Sequence, residues 1–297
     1  MTRKKERDTI NTVQSPTNPG RRRFLKQAFK HTMVAGAACV VYPVLIERHI
    51  VLFNHYQIPV PNLPEAFRGY RIAHLTDIHY GNFISLTFLK GVLARVNQLH
   101  ADAICLTGDY AHHHNAPKEV DAIWSLFSML RAKDGIFAVL GNHDHWASET
   151  QSLKLLERSG FSVRHTCTYV TRGNSRLAFG GAGDFYEDIP GIDTAFLHSD
   201  NSDCRILLAH NPDTVDLPFE TLISLTLSGH THGGQVRIPF FGPIRVPVRN
   251  KRYVEGFIDT PQTGLFIARG IGGAVLPVRF DCYPEIAVLE LIPTSPG

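Results

Sequence analysis

The 297-residue chain is short of cysteine pairs: Cys39, Cys105, Cys167, Cys204 and Cys282 are scattered, odd in number and without CxxC spacing. That excludes a disulfide framework and a thiolate zinc site. Cys105 and Cys204 fall inside apolar runs and read as small core residues. No internal period of the solenoid kind is present. The apolar stretch from Met33 to Ile46 is too short for a comfortable membrane span. Basic runs are missing from most of the chain. The net charge of +3 hides an asymmetry, because residues 1–31 hold nine of the 30 Lys and Arg against only Glu6 and Asp8. The remainder carries 21 basic and 25 acidic residues, a balance of −4. A mildly acidic body without a basic stripe argues against a nucleic-acid backbone as partner.

What is there, 43% apolar and 19% charged residues, describes an ordinary globular protein with room for one large α/β domain behind a leader. Residues 1–20 are polar, with Pro16, Pro19 and Gly20, and read as disordered. Arg21-Arg-Arg-Phe24-Leu25-Lys26 followed by the Met33–Ile46 stretch resembles a twin-arginine export signal, with Gly20 where that signal usually has Ser or Thr. The plain alternative is a basic amphipathic N-terminus on a cytosolic protein; the order of basic and apolar blocks favours export. Ala35-Gly-Ala37 has a small-x-small form but would leave almost no apolar region before a cut, so retention as an anchor is the other outcome, weakened by Pro43. The expectation is a leader over 1–46, a domain over 47–297, the twin-arginine machinery and the membrane as partners, and a periplasmic or outer-face location.

The most informative stretch is Thr226-Leu-Ser-Gly-His230-Thr-His232-Gly-Gly-Gln235. An apolar run, Leu222–Leu227, predicts a buried strand ending at Gly229. Two histidines then stand two apart, which on an extended backbone projects both rings to one side. One His is more often structural; two among glycines at a strand mouth suggest a metal site. The construction repeats in Ile104-Cys-Leu-Thr-Gly108-Asp109 and Phe137-Ala-Val-Leu-Gly141-Asn142-His143-Asp144. Ile72-Ala-His-Leu-Thr-Asp77-Ile-His79 and Arg205-Ile-Leu-Leu-Ala-His210 also end in ligand-type side chains. Five strand ends thus point at one carboxyl edge of one sheet, where open α/β sheets bind ligands.

In chain order the pattern predicts an opening strand over His49–Phe53, a Pro-rich connection, and core strands over Arg71–Thr76, Ala103–Thr107 and Ile136–Leu140. Leu89, Val92, Leu93, Val96 and Leu99 share one helical face, and Val120, Ile123, Phe127 and Leu130 another. Ser148-Glu-Thr-Gln151 predicts a helix start and Gly160 its end. From Val163 on, strands dominate. Two mixed β-sheets packed face to face with helices outside, an α/β/β/α sandwich, account for this pattern.

Taken in order, Asp77-x-His79, Gly108-Asp109, Gly141-Asn142-His143-Asp144, His210 and Gly229-His230-x-His232 resemble the five motifs of calcineurin-like metallophosphoesterases. The resemblance runs from about residue 70 to the end. Arg269-Gly-Ile-Gly272, Leu276-Pro-Val-Arg279, Pro284-Glu-Ile286 and Gly233-Gly-Gln235 are similar to a narrower group of membrane-associated or twin-arginine-exported bacterial phosphodiesterases, with relatives that cleave the pyrophosphate of UDP-diacylglucosamine.

The resemblance implies a dimetal phosphoesterase that cleaves phosphodiester or pyrophosphate bonds by attack of a metal-bridging hydroxide. Asp77, His79, Asp109 and His232 would hold one cation, and Asp109, Asn142, His210 and His230 the other, with Asp109 bridging. Imidazole, carboxylate and amide ligands suit Mn, Fe, Zn or Ni. Two dications less Asp77, Asp109 and one hydroxide leave about +1 for a monoanionic diester. His143 would serve the leaving group, the alternative being a His that only orients a ligand; Asp144 reads as a supporting residue. Gly-Asp continues as Tyr110-Ala-His-His-His114, without the arginine of protein Ser/Thr phosphatases, and His112–His114 read as solvated loop residues. Residues Val236–Val248, apolar with arginines and prolines, read as a packed hairpin, a lipid-headgroup contact being the alternative. A lipid-nucleotide pyrophosphatase at the membrane and an inactive scaffold are the competing functions; the complete ligand set argues against the latter.

Overall fold

The computed structural model describes residues 19–200 and 202–294, so the stretch 1–18, expected to be disordered, lies outside the described residues. The chain divides into two units, Met1–Tyr42 and Pro43–Gly297. Helix α1 (Pro19–Leu45) carries the Arg21–Arg23 block and has Pro43 in its last turn. Among the described residues, no helix is long and apolar enough to cross a membrane.

The body is built from β1 (Leu52–Val60), β2 (Tyr70–Leu75), α2 (Leu86–Gln98), β3 (Ala103–Leu106), α3 (Pro117–Phe127), β4 (Gly135–Ala138) and α4 (Asn142–Ser159). There follow β5 (Cys167–Arg172), β6 (Ser175–Gly181), α5 (Ile192–Ala195), β7 (Cys204–Leu208) and β8 (Leu225–Ser228). The chain ends with β9 (Arg237–Ile238), β10 (Gly242–Pro243), β11 (Gly256–Asp259), β12 (Gly264–Ile267) and β13 (Glu285–Pro293). One sheet has the order β1-β13-β2-β3-β4 and the other β11-β12-β8-β7-β6-β5. The ligand-bearing strands are parallel in each, β2 to β3 to β4 and β7 to β8. All of their carboxyl ends therefore point one way within a sheet.

Period-two alternation sorts side chains between two cores. Ala73, Leu75, Ile104 and Leu106 face outward onto Leu89, Val92, Val96, Val120, Ile123 and Phe127 of α2 and α3. Ile72, Ala103, Cys105 and Phe137 face inward onto Phe179, Ile206, Leu208, Leu227 and Phe266 of the other sheet. Phe137 and Phe179 stack across this seam with centroids 4.2 Å apart. Each such side chain contributes about 1.5–3 kcal/mol on burial, so Phe179→Ala is the sort of change that opens the sandwich. The sandwich and the outside position of α2, α3 and α4 agree with the expected fold. Among the described residues, the outer face of the second sheet is covered by the four-residue α5, the short 3-10 helix Pro212–Asp216 and the segment from Val246 to Tyr253.

Several boundaries differ. The opening strand runs over Leu52–Val60 and includes Pro59; β1 is an edge strand, where a missing N–H costs no ladder bond. The helix expected from Ser148 begins earlier, at Asn142, and Ser148 breaks it with extended φ −177° and ψ 99°. Gly160 closes that helix in the left-handed region, as expected. β8 starts at Leu225, since Leu222 is exposed.

Candidate metal centre

The parallel ladder of β2 and β3 continues past the strand ends: Asp77 N donates to Gly108 O at 3.0 Å and His79 N to Asp109 O at 3.0 Å. This places Asp77, His79 and Asp109 side by side. In the second sheet Gly229 N donates to His210 O at 2.9 Å, which sets His210 beside His230. The loop after β12 joins the two edges, with Gly272 N donating to Asp77 O at 2.7 Å. The ligand-type residues thus come from two sheets, not from the one edge expected. The seam between the sheets is where they meet.

Five of the seven candidates, Asp77, His79, Asp109, His230 and His232, have φ between 48° and 67°. For non-glycine residues this left-handed backbone costs of order 1 kcal/mol or more each, and it persists where surrounding bonds over-determine it. It also corrects the extended-backbone reading of His230 and His232. Both lie in a tight turn, so they serve different clusters instead of sharing one. Glycine is required nearby: a Cβ at Gly229 would overlap the Thr76 hydroxyl and the Asp77 carboxylate, and one at Gly141 would overlap Asp109 Oδ1.

Three clusters of ligand-type atoms result, each with its atoms within 4.8 Å of one another: the triads Asp77–His79–His232 and Asp109–His210–His230, and His79–His112–His143, which shares His79 with the first. Asp77 Oδ1 lies 3.1 Å from His232 Nε2 and 3.9 Å from His79 Nε2. His79 and His232 bring their Nε2 atoms to 3.1 Å, and His210 Nε2 stands 3.1 Å from His230 Nδ1. Asp109 Oδ2 sits between the triads, 3.5 Å from His79 Nε2 and 3.3 Å from His210 Nε2. Asn142 is buried, and its Oδ1 has no hydrogen-bond partner among the described residues. Six of the seven candidates therefore converge, and Asn142 stands next to them in the chain, between Gly141 and the His143 N–H that donates to Asp109 Oδ1.

Backbone acceptors select the free ring nitrogens. His210 Nδ1 is 2.8 Å from Thr107 O, leaving Nε2 to the site, and His230 Nε2 is 3.0 Å from Pro247 O, leaving Nδ1. His143 Nδ1 is 2.8 Å from His112 O, so its Nε2 is the atom available to substrate. Its backbone N–H donates to Asp109 Oδ1 at 2.8 Å.

Burial works to raise the carboxyls of Asp77 and Asp109, yet the facing histidines, His232 for the first and His210 for the second, hold both below the ordinary value. Burial keeps His79 well below its usual value and lowers His230 to about 4. For His210 burial is outweighed by Asp109 and Asp77, which raise it to about 10. Carboxylates and imidazoles thus face one another across the seam, a place where bound cations would displace ring protons. Facing ring nitrogens, ionised acids and an orphaned amide oxygen form a donor set that fits a pair of divalent ions.

Asp144 is the brace. Its carboxylate accepts from the backbone of Asp109, Tyr110, Ala111 and Gly141 at 2.8–3.2 Å, locking two motif loops together. Of the three loop histidines only His113, paired with Glu119, and His114, stacked on Trp146, match the solvated reading. His112 is half-buried with its Nδ1 3.1 Å from His79 Nδ1. It behaves as a support for a ligand, because the β3–α3 loop folds back over the site.

Two residues escaped the sequence reading. Asp184, buried with Oδ2 unpartnered among the described residues, lies close enough to His210 and Asp109 to act on their charge. It follows the strand Leu177–Gly180 by the same apolar-strand, glycine, acid construction, which was the signal to use. Arg279, fully buried, donates to the carbonyls of Gly272, His232 and Arg269 at 2.5–3.0 Å and ties the His232 turn to the loop after β12. A groove of about 560 Å³ opens beside Asn142 and His230, lined also by Trp146, Tyr186, Arg245, Arg249 and Lys251.

The profile of the calcineurin-like phosphoesterases matches residues 70–234, the segment that holds all seven candidates. The chain belongs to this family. Calcineurin-like phosphoesterases typically hold a dimetal centre, and the two triads are this chain's candidates for it. The chain is 32% identical over 282 residues to the uncharacterized metallophosphoesterase YkuE of Bacillus subtilis, covering 93% of this chain and 98% of that one. It is 31% identical over 232 residues to the phosphodiesterase YaeI of Escherichia coli, covering 75% and 82%. The UDP-2,3-diacylglucosamine pyrophosphatase LpxG of Chlamydia muridarum is 24% identical over 325 residues, covering 89% and 98%.

Proposed function

We propose that the protein is a metal-dependent phosphoesterase that hydrolyses phosphodiester or pyrophosphate bonds at the seam of its two sheets. The observation that carries this is the place of Asp109 Oδ2 between His79 Nε2 and His210 Nε2, one oxygen shared by two triads. Asp77, His79, Asp109 and His232 would hold one ion, and Asp109, Asn142, His210 and His230 the other. When bound, such a pair supplies an acidified water and neutralises charge on the phosphoryl oxygens.

The chain's own residues do the rest. His143, oriented by His112 O and anchored through its N–H on Asp109, presents Nε2 to the departing oxygen. Arg245, Arg249 and Lys251 attract the anionic substrate into the groove. Trp146, indole bonded to Glu187 at 2.8 Å, gives that groove an aromatic wall. Asn142 supplies a neutral amide, so the site keeps more positive charge than a third carboxylate would leave.

The similarity to LpxG and the basic groove support a lipid- or nucleotide-linked phosphoester as substrate. The Arg21–Arg23 block ahead of an apolar stretch supports twin-arginine export and action outside the cytoplasmic membrane. Purified protein supplied with Mn²⁺ should hydrolyse bis-p-nitrophenyl phosphate, and His230→Ala should abolish it. A wild type inactive with every divalent metal tried would point to a scaffold instead. Fractionation of cells carrying the full chain, with Arg21→Lys and Arg22→Lys as the export-blocked control, tests the location; cytosolic protein in both would defeat it.

A further inference from the structure

Large apolar side chains crowd the rim beside the metal centre: Phe83, Phe240, Phe241, Ile244, Val275 and Leu276 are all exposed, Phe240 at 106% and Phe241 at 87%. The three segments that carry them each leave the centre directly, after His79, after His232 and after Gly272. They are bonded into one surface. Asn82 Nδ2 donates to Gly273 O at 2.8 Å, and Gln235 Nε2 donates to Leu276 O at 2.7 Å. Gln235 Oε1 accepts from Ala274 N at 2.9 Å.

Phe240 stands in the turn between β9 and β10 with φ 70°. Glycine or asparagine would adopt that backbone at lower cost, since a left-handed L-residue is disfavoured by about 1–2 kcal/mol. Full exposure means that packing returns nothing for the choice. A bulky aromatic held out where folding disfavours it has its use in contact with something else.

Charge says what that contact is. Residues 237–252 hold five basic side chains, Arg237, Arg245, Arg249, Lys251 and Arg252, and no acid, within a body whose balance is −4. All but Arg237, which pairs with Glu255, are exposed. Phe240 and Phe241 sit at the turn of the short β9–β10 hairpin, next to these exposed cations in the chain. Within the body, Pro43 O accepts from Arg279 N at 3.2 Å, and the Arg48 guanidinium lies 5.7 Å from the Phe83 ring centroid.

We propose that this rim docks on an anionic lipid bilayer. Phe240 and Phe241 enter the interfacial region while Arg245, Arg249, Lys251 and Arg252 meet phosphate headgroups, which turns the groove toward phosphoester bonds at the membrane surface. The substrate half of this rests on the phosphoesterase reading; the docking half does not.

The test uses the full chain. Its basic leader is expected to attract anionic vesicles too, so the readout must be local to the tip. Phe240→Trp is mixed with vesicles of phosphatidylglycerol and phosphatidylethanolamine whose acyl chains are brominated. The introduced indole should shift to the blue and lose intensity beyond the change seen for the two native tryptophans of wild type, and phosphatidylcholine vesicles should give much less. Phe240→Ser with Phe241→Ser should weaken vesicle binding about tenfold or more. Vesicle-bound protein without local quenching overturns the docking, as does equal quenching by phosphatidylcholine. Self-association abolished by the double substitution, again without quenching, assigns the rim to a second copy instead. Bis-p-nitrophenyl phosphate hydrolysis in vesicle-free buffer should be unchanged by the double substitution. An inactive wild type there defeats the hydrolase reading and leaves the quenching result standing on its own.

Discussion

Asp109, which follows β3 of one sheet, and His210, which follows β7 of the other, meet with Oδ2 and Nε2 3.3 Å apart. The same oxygen lies 3.5 Å from His79, so one carboxylate joins both triads. Asp109→Asn keeps the shape and removes the charge. It should lower bound metal below two ions per chain and reduce diester hydrolysis by more than the about 10–100-fold typical when a partner of a ligand is removed. Metal analysis on the purified variant, alongside its rate, checks this. Unchanged metal content would remove Asp109 from the bridge.

His112 touches the ligand His79 at Nδ1, while its neighbour His113 faces solvent beside Glu119. His112→Ala should cost about 10–100-fold in metal affinity or rate, as losses of a ligand's hydrogen-bond partner do. His113→Ala should change neither. Titration of Mn²⁺ against both variants measures the difference, and equal behaviour would return His112 to the solvated loop.

The candidate ligand residues were legible because each motif kept its residues inside six or fewer consecutive positions, as in Gly141-Asn-His-Asp144. The inward face of β2 and the helical stripes of α2 and α3 were legible for the same reason, being local periodicities. Relations between distant segments were not. That Asp109 and His210 belong to different sheets depends on strand pairings between separated segments, β3 with β2 and β4 in one sheet and β7 with β6 and β8 in the other. Arg279 became visible as a brace only once its guanidinium was seen surrounded by the carbonyls of Gly272 and His232. The left-handed backbone at His230 and His232 also follows from tertiary bonds, His230 N donating to Asp77 among them, and no spacing rule announces it.

Asp144 accepts four backbone N–H groups, and burial pushes its carboxyl up to about 7 against their pull. Asp144→Asn exchanges an acceptor oxygen for an NH₂ facing N–H donors. The expected loss is about 1–3 kcal/mol of stability, read as a lower urea midpoint with unchanged slope. Stability equal to wild type would mean that the two motif loops hold without this brace.

Glu285 of β13, whose N–H donates to Gly270 O, is expected to set an acid limit. Burial works to raise its carboxyl, but Arg269 at 3.1 Å and hydrogen bonds from Tyr56 and Asn54 hold it below the usual value. A depressed folded value means that its contribution is complete above the unfolded value near 4.5 and is lost as pH falls through the lower folded one. Urea midpoints measured from pH 6 down to about pH 3 should therefore fall less steeply for Glu285→Gln than for wild type. Parallel curves would show that this carboxylate contributes nothing to the acid limit.

Metal content decides the central claim most directly. Elemental analysis of the full chain after Mn²⁺ loading and desalting should find two ions per protein, falling to about none in a variant carrying both Asp109→Asn and His230→Ala. Wild-type protein that retains no divalent ion, or one whose content does not change with those substitutions, would contradict it.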